Sequence, residues 1–290
     1  MHPASSIIIF TVLSGLGFGY LTYLGFGHPT FTGVVAFWHF FIGFALAVGG
    51  LISSTFHLGN PQRALLAFTQ WRTSWLSREA VLSGVALFFM GIYAAAAIFL
   101  GEIYPILGII GGVFSLLTVV ATSMMYTQMK TVPRWRQWST PPLFLSLSLG
   151  GGAILAGHEV LAIILLIIAG ILQILNWVQG DERLAQSGST IGTATGLGVR
   201  GAVRAFEPPH TGNNYLLKEM VHVIGRKHAQ KLRIISMALM IVLPVVILAI
   251  SWSLMALMLA VLAHIVGALA QRWLFFAEAE HVVGLYYGKR

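Results

Sequence analysis

Proton-exchanging and hydrogen-bonding side chains are concentrated in one short stretch, residues 53–79, of a chain that carries little charge elsewhere. His57 closes one apolar segment and Glu79 opens the next. Histidine exchanges a proton near neutral pH, and a carboxylate at a membrane boundary is expensive to keep unless it has a function. The stretch therefore predicts proton-coupled chemistry on a lipid-soluble substrate.

A membrane quinone is a substrate of this kind. Its two carbonyls become hydroxyls when it takes up two electrons and two protons, so its site must hydrogen-bond the head group and move protons. We predict that His57 binds the head group and that Glu79 handles the protons. The quinone-binding residues are then His57, Glu79 and the shaping residues Arg63, Trp71, Arg72 and Arg78.

A structural interpretation of the same residues is also available. Tryptophan and arginine anchor helices at membrane interfaces, and a glutamate in a first helical turn complements the helix dipole. Each residue taken singly fits that interpretation, and their concentration in one stretch favours a site.

The composition is that of a polytopic membrane protein. Of the 290 residues 57% are hydrophobic and 9% charged, with a mean hydropathy of +0.83, which excludes an ordinary soluble enzyme. The chain has no cysteine, so it can form neither disulfides nor cysteine-ligated iron–sulfur clusters. We predict no metal site in this chain, and any one-electron centre must be held by histidine or by a partner.

The apolar segments predict an all-α fold with eight transmembrane helices, arranged as two four-helix bundles. A bilayer core of about 30 Å needs about twenty apolar residues for each helix. We expect the first segment to be a retained helix, and Pro244 to kink the seventh. The predicted spans are about 5–25, 33–57, 79–100, 105–129, 141–157, 159–179, 232–250 and 253–276.

Eight spans place every positive charge on one side of the membrane. All 17 lysines and arginines then lie on the side that holds both termini, and the opposite connections carry only Glu102 and Glu159. By the positive-inside rule this side is cytoplasmic. The net charge of +8 then reflects topology and anionic membrane lipid, and needs no nucleic-acid partner.

One polar connection, residues 180–231, is long enough to be more than a turn. We treat 1–290 as a single integral-membrane domain and predict that this connection is a cytoplasmic loop that docks a partner.

The stretch around His57 resembles the membrane-anchor subunit of the dimethyl sulfoxide reductase family. The resemblance is carried by SSTFHLGNPQRALLAFTQWRTSWLSRE, by PRW at 133–135, by EPPHTGNNYLLKEM at 207–220 and by RWLFFAEAEHVVGLYYG at 272–288. It implies an eight-helix, haem-free, quinone-reactive subunit. Its expected partners are a ferredoxin-like iron–sulfur subunit and a molybdopterin catalytic subunit, which hold the iron–sulfur clusters and molybdopterin. The residues corresponding to His57 and Glu79 are associated with the family's quinone site.

The cytoplasmic orientation resembles the sulfite dehydrogenase (quinone) branch of this family. That branch implies a bacterial inner membrane protein with both termini cytoplasmic, which passes electrons from sulfite oxidation to ubiquinone or menaquinone. The alternative is a dimethyl sulfoxide (S- or N-oxide) reductase anchor that oxidises quinol, because the anchor's sequence does not set the direction.

Three further alternatives stay open. A secondary transporter would place ionisable groups near the membrane midplane, where His39, His264 and the Pro244 kink are the main candidates. A haem-bearing anchor would use His39, His158 or His264 as axial ligands. A purely structural anchor would carry no quinone chemistry. Glu278-x-x-His281 copies half of a di-iron motif without its companions.

Overall fold

The computed structural model describes residues 3–56, 59–207, 212 and 227–287. Within them every regular element is helical and no strand occurs, which confirms the all-α class. The first half contains α1 (Ser5–Gly25), α2 (Gly33–Thr55), a 3-10 helix (Pro61–Phe68), α3 (Trp75–Ala95, continued by a π-helical turn, Ala96–Leu100) and α4 (Pro105–Thr127). The second half contains α5 (Thr140–Leu155), α6 (Glu159–Gln186), α7 (Ile191–Thr195), α8 (Ala229–Met237), a π-helical turn (Ala238–Val242), α9 (Leu243–Ile250) and α10 (Leu254–Ala277), with short 3-10 helices at Gly198–Arg200 and Val282–Tyr287.

Seven of the described helices are long and apolar enough to cross a membrane, counting α8 to α9 as one helix of 22 residues. The helix α5 is apolar but has only 16 residues. The structure therefore confirms a membrane protein with several spans, while the count of eight and the two four-helix bundles stay predictions.

The helix α1 lies at the centre, with 78% of its apolar window buried. Small residues allow its neighbours to approach closely: a Cβ on Gly19 would lie 2.0 Å from the Ser148 carbonyl oxygen on α5. Similarly, a Cβ on Gly108 of α4 would lie 2.4 Å from the Gly25 carbonyl oxygen. Such contacts are typical of helix packing in membranes, where small side chains take the place of a hydrophobic driving force.

The buried apolar side chains form two clusters. One includes Tyr20, Phe40, Met90 and Tyr126 and joins α1 to α4, with Phe275 from α10. The other includes Leu143, Leu166, Met240, Leu248 and Ala268 and joins α5, α6 and the helices after residue 229.

Two helix boundaries differ from the prediction. The helix α3 begins at Trp75 rather than at 79, because the Ser74 hydroxyl caps it by accepting a hydrogen bond from the Ser77 N–H at 3.4 Å. The helix α6 runs to Gln186 rather than to 179. Of the predicted docking connection 180–231, residues 208–211 and 213–226 lie outside the described residues.

The seventh predicted span is interrupted where Pro244 was expected to kink it. A π-helical turn, Ala238–Val242, precedes the proline. Proline has no N–H to donate to the carbonyl four residues earlier, that of Met240. The His264 Nδ1 lies 2.9 Å from that oxygen and donates to it instead. Neighbouring helices re-satisfy backbone groups freed by proline in this way.

Candidate functional site

A cavity of about 450 Å³ lies where α2 ends and α3 begins, under the 3-10 helix that connects them. Its lining is mostly apolar, with a few polar groups at the mouth and on the inner wall. That composition is typical of sites for small lipophilic molecules. The lining residues are Leu51, Ser54, Thr55, Gly59, Asn60, Arg63, Ala64, Leu66, Ala67, Gln70, Ser74, Leu76, Ser77, Glu79 and Ala80.

The cover of this cavity follows from local sequence. Pro61 occupies the first position of the 3-10 helix, where its missing N–H costs nothing, and Asn60 precedes it. Beyond this helix the Gln70 N–H donates to the Ser77 Oγ at 3.0 Å. This bond ties the end of the cover to the first turn of α3, so that the cavity has a defined wall on that side.

Glu79 lies on the inner wall of the cavity. Its residue is 4% exposed, and its carboxylate accepts a hydrogen bond from the Thr122 hydroxyl of α4. Glu79 forms no ion pair with any described residue. A buried carboxyl group with one hydroxyl partner and a cavity beside it is able to exchange protons with a bound molecule.

The cationic residues predicted near Glu79 fall into two groups. Arg63 lines the cavity, whereas Trp71, Arg72 and Arg78 do not. Arg78 donates to the carbonyl oxygens of Trp71 at 3.0 Å and of Arg72 at 2.7 Å. Its guanidinium also lies 4.3 Å from the centroid of the Trp75 ring. These three residues therefore hold the turn before α3 in shape, at the cavity's edge.

His57 lies outside the described residues. Its described neighbours Thr55 and Gly59 both line the cavity, so the chain passes this position at the cavity wall. The role predicted for His57 stays a prediction.

Sequence reasoning did not select Thr122, Tyr126 or Arg272. Thr122 and Tyr126 are four residues apart on α4, so they share the face that meets Glu79. Tyr126 is buried, and the charges of both Glu79 and Arg272 act on it. The spacing of Thr122 and Tyr126 was readable in the sequence, but their alignment with Glu79 depends on how α3 packs against α4.

Arg272 is a buried cation of α10, 4% exposed. Its guanidinium carbon lies 3.8 Å from the centroid of the Phe144 ring and 5.2 Å from that of Phe275. Two of its nitrogens, Nε and Nη1, have no hydrogen-bond partner among the described residues. Aromatic faces are thus the main contacts shown for this charge.

The comparison with protein families decides the relationship. The model of the DMSO reductase anchor subunit (DmsC) matches residues 1–288 of the chain. The chain belongs to the DMSO reductase anchor subunit family. It is therefore a DmsC-like membrane anchor subunit of an oxidoreductase complex.

A curated relative agrees with this assignment. The corresponding sulfite dehydrogenase subunit of Allochromatium vinosum is 30% identical to the anchor over 323 aligned positions, which cover 99% of each chain. No solved structure matches the anchor.

Four charged side chains form a second polar cluster in the anchor, at the ends of its helices. The Arg233 guanidinium lies 2.6 Å from an Asp181 oxygen and 2.7 Å from a Glu278 oxygen. Arg134 lies 2.6 Å from Asp181 and 4.0 Å from Glu278. These pairs join the connection before α5 to α6, α8 and α10, so we call them the clamp.

The clamp also accounts for the Glu278-x-x-His281 pattern. Glu278 belongs to the clamp, and the His281 Nδ1 accepts the Val283 N–H at 3.1 Å. Partial burial lowers the pKa of the His281 imidazole. No group of three or more potential metal ligands occurs in the part of the anchor that the structure describes.

The other candidate histidines have internal partners. His39 is hydrogen-bonded to the Tyr20 hydroxyl and stacks on Phe31 at 4.0 Å between ring centroids. The His158 Nε2 lies 3.2 Å from the His28 carbonyl oxygen. His264 satisfies the carbonyl oxygen that the proline in α9 leaves free. Each of the three thus has a packing or hydrogen-bonding role in the fold.

Proposed function

We propose that this anchor passes electrons between an iron–sulfur subunit and membrane quinone during the oxidation of sulfite to sulfate. One observation carries the proposal: a buried carboxyl group, that of Glu79, lies on the wall of a largely apolar cavity of about 450 Å³. Ligand cavities range over about 300–1,000 Å³.

The cavity fits the two parts of a quinone. The side chains of Leu51, Leu66 and Leu76 offer apolar contact to an isoprenoid tail. At the polar parts of the wall, Ser54, Asn60 and Arg63 offer hydrogen bonds to head-group oxygens. Amphipathic lining of this type would place the ring at the polar end and the tail toward the lipid.

Glu79 would exchange protons with the head group, since quinone reduction or quinol oxidation moves two protons for two electrons. The hydrogen bond from Thr122 fixes the orientation of its carboxyl group. His57 would hydrogen-bond the head group, Arg63 would place positive charge at the mouth, and Trp71, Arg72 and Arg78 would shape the cover. The overall balance is sulfite plus water giving sulfate, two protons and two electrons, with quinone taking up two protons and two electrons to give quinol.

The partners follow from the family. We propose that a ferredoxin-like iron–sulfur subunit docks on the cytoplasmic side, partly through the connection 180–231, and delivers electrons from a molybdopterin catalytic subunit. With eight spans, both termini lie in the cytoplasm of a bacterium and the anchor lies in its inner membrane. The quinone is ubiquinone or menaquinone, and no haem is required in the anchor.

The opposite direction is the second candidate, because the matching family model describes a DMSO reductase anchor. In that case quinol is oxidised and an S- or N-oxide is reduced. Purified complex assayed with sulfite plus quinone, and separately with quinol plus dimethyl sulfoxide, distinguishes the two directions.

Replacement of His57 by alanine in the intact complex tests the quinone role. We expect quinone-coupled turnover to fall at least about tenfold, since removing one hydrogen bond to a reacting group costs on the order of 1–2 kcal/mol. Turnover with an artificial acceptor that takes electrons from the soluble subunits should be unchanged.

His28→Ala, beyond the opposite end of α2, is the matched control and should behave like the wild type. Wild-type quinone turnover by the His57→Ala complex would reject the assignment. A chain that copurifies with no redox subunits would instead support the transporter alternative.

A further inference from the structure

Three cations converge on a depression that neither the proposed quinone site nor the clamp uses. The depression has a volume of about 220 Å³ and lies between the α4–α5 connection and the end of α6. Lys130 and Arg136 come from the connection, and Arg183 comes from α6. Pro133, Gln186 and Ser187 complete the lining.

Among the described residues, the lining contains no carboxylate. The nearest acids in the sequence are engaged elsewhere: Asp181 belongs to the clamp, and Glu182 accepts a hydrogen bond from the Gln186 Nε2 at 3.1 Å. None of the three cations forms an ion pair with a described residue, and the Arg183 Nε is buried without a hydrogen-bond partner among them. Three like charges around one depression repel each other, so an anion between them would be favourable.

The backbone that carries these cations is held firmly. The Trp135 indole donates to the Phe275 carbonyl oxygen at 2.8 Å, and its ring stacks on Phe275 with centroids 5.4 Å apart. The Val282 N–H donates to the Thr131 carbonyl oxygen at 3.0 Å. Because the clamp also fixes this connection, it presents its cations from a preorganised support, which lowers the entropy cost of binding.

The depth of the depression identifies the source of the anion. The apolar helices α4 and α5 end at Thr127 and begin at Thr140, so the connection between them lies at the membrane boundary. Trp138, in the same connection, is 60% exposed, as is typical of side chains at head-group level. Arginine forks match phosphate oxygens in pairs, and basic pockets between transmembrane helices bind anionic lipid head groups.

We propose that Lys130, Arg136 and Arg183 form a binding site for the phosphate of an anionic phospholipid head group. The positive-inside rule explains why these cations lie on one side of the membrane, but it does not require them to share a depression. The site is independent of the quinone proposal, because none of its residues lines the Glu79 cavity.

Native mass spectrometry of the complex, purified through a tag on the anchor, tests the site. The complex is titrated with phosphatidylglycerol or cardiolipin, with zwitterionic phosphatidylethanolamine, and with inorganic phosphate. We expect retention of the anionic lipids in preference to the other two. The triple variant Lys130→Gln, Arg136→Gln, Arg183→Gln should lose at least about tenfold in anionic-lipid affinity, since each interfacial cation contributes about 1 kcal/mol.

The matched control replaces three exposed cations outside the depression: Arg200→Gln, Arg204→Gln, Lys231→Gln. It should bind lipid like the wild type. Equal losses in the two triple variants would overturn the proposal, as would binding of inorganic phosphate as strong as that of lipid. Loss of the iron–sulfur subunit from the depression variant alone, with lipid binding intact, would also overturn it and assign the depression to protein docking.

Discussion

The surroundings of Glu79 and the clamp show two ways of keeping charge inside a membrane protein. The clamp matches two arginines with two carboxylates within 4.0 Å, and none of its residues lines the Glu79 cavity. Glu79 forms no ion pair with a described residue, has one hydroxyl partner and faces a cavity. Paired charge serves assembly of the fold, whereas an unpaired buried carboxyl beside a cavity is retained at a cost and indicates chemistry.

Glu79→Gln should have the largest effect on activity. The amide keeps the shape of the side chain but cannot exchange a proton, and positioned acid–base groups contribute about 10²–10⁴-fold to rate. We expect quinone-coupled turnover of the complex to fall at least about 100-fold, with its melting temperature in detergent unchanged. A variant with near-normal turnover would remove Glu79 from the mechanism.

Glu278→Gln should give the opposite result. Removing one partner of a buried pair costs about 3–5 kcal/mol, and the low end applies because Arg233 keeps Asp181. We therefore expect a clearly lower melting temperature, while turnover per folded complex stays at the wild-type level. Asp181→Asn is the more exposed counterpart and should cost less. Lost turnover at full stability would mean that the clamp takes part in the chemistry.

His264→Leu should destabilise the anchor by about 1–3 kcal/mol, because it leaves the Met240 carbonyl oxygen without a donor. Pro244→Ala supplies a backbone N–H to the same oxygen. In the His264→Leu background it should therefore recover part of the loss of thermal stability, although it costs stability or is neutral when His264 is present. Additive effects in this double-mutant cycle would contradict the compensation.

Thr122→Val tests the single partner of Glu79. Valine keeps the shape of threonine but not its hydroxyl, so the carboxyl group loses its fixed orientation. Since one hydrogen bond is worth about 1 kcal/mol, turnover with quinone should fall about fivefold, and Thr122→Ser should restore most of it. An equal loss in both variants would indicate a packing effect instead.

The smallest effect should be a local pH dependence near His281. Its Nδ1 accepts the Val283 N–H and its pKa lies below the usual value. A lowered pKa means that stability is fully present above the unfolded value and is lost as the pH falls through the window below about 6.5. Rate-corrected hydrogen exchange of Val282–Tyr287 should therefore speed up at about pH 5.5, one unit below that value. His281→Asn keeps an acceptor that does not titrate, and it should abolish this acceleration.

The helices and the polar stretch were predictable from the sequence, because apolar length and turn residues are local properties. The start of α3 was not, since Ser74 and Ser77 are both suitable caps and tertiary contacts decide between them. Thr122 is 43 residues from Glu79 in the chain, and no local pattern reports the pairing. The link between the proline of α9 and the histidine of α10 likewise requires two helices to pack before the missing N–H finds its substitute.

The helix α5 has a consequence for hydrophobic matching. Its 16 residues span about 24 Å at 1.5 Å per residue, which is less than an average hydrocarbon core of about 30 Å. Eleven of these residues are buried against neighbouring helices, so the short helix presents little surface on which lipid thickness can act. The tolerance of the anchor to thinner or thicker bilayers is therefore set by its outer helices, above all α2, of whose apolar window only 28% is buried.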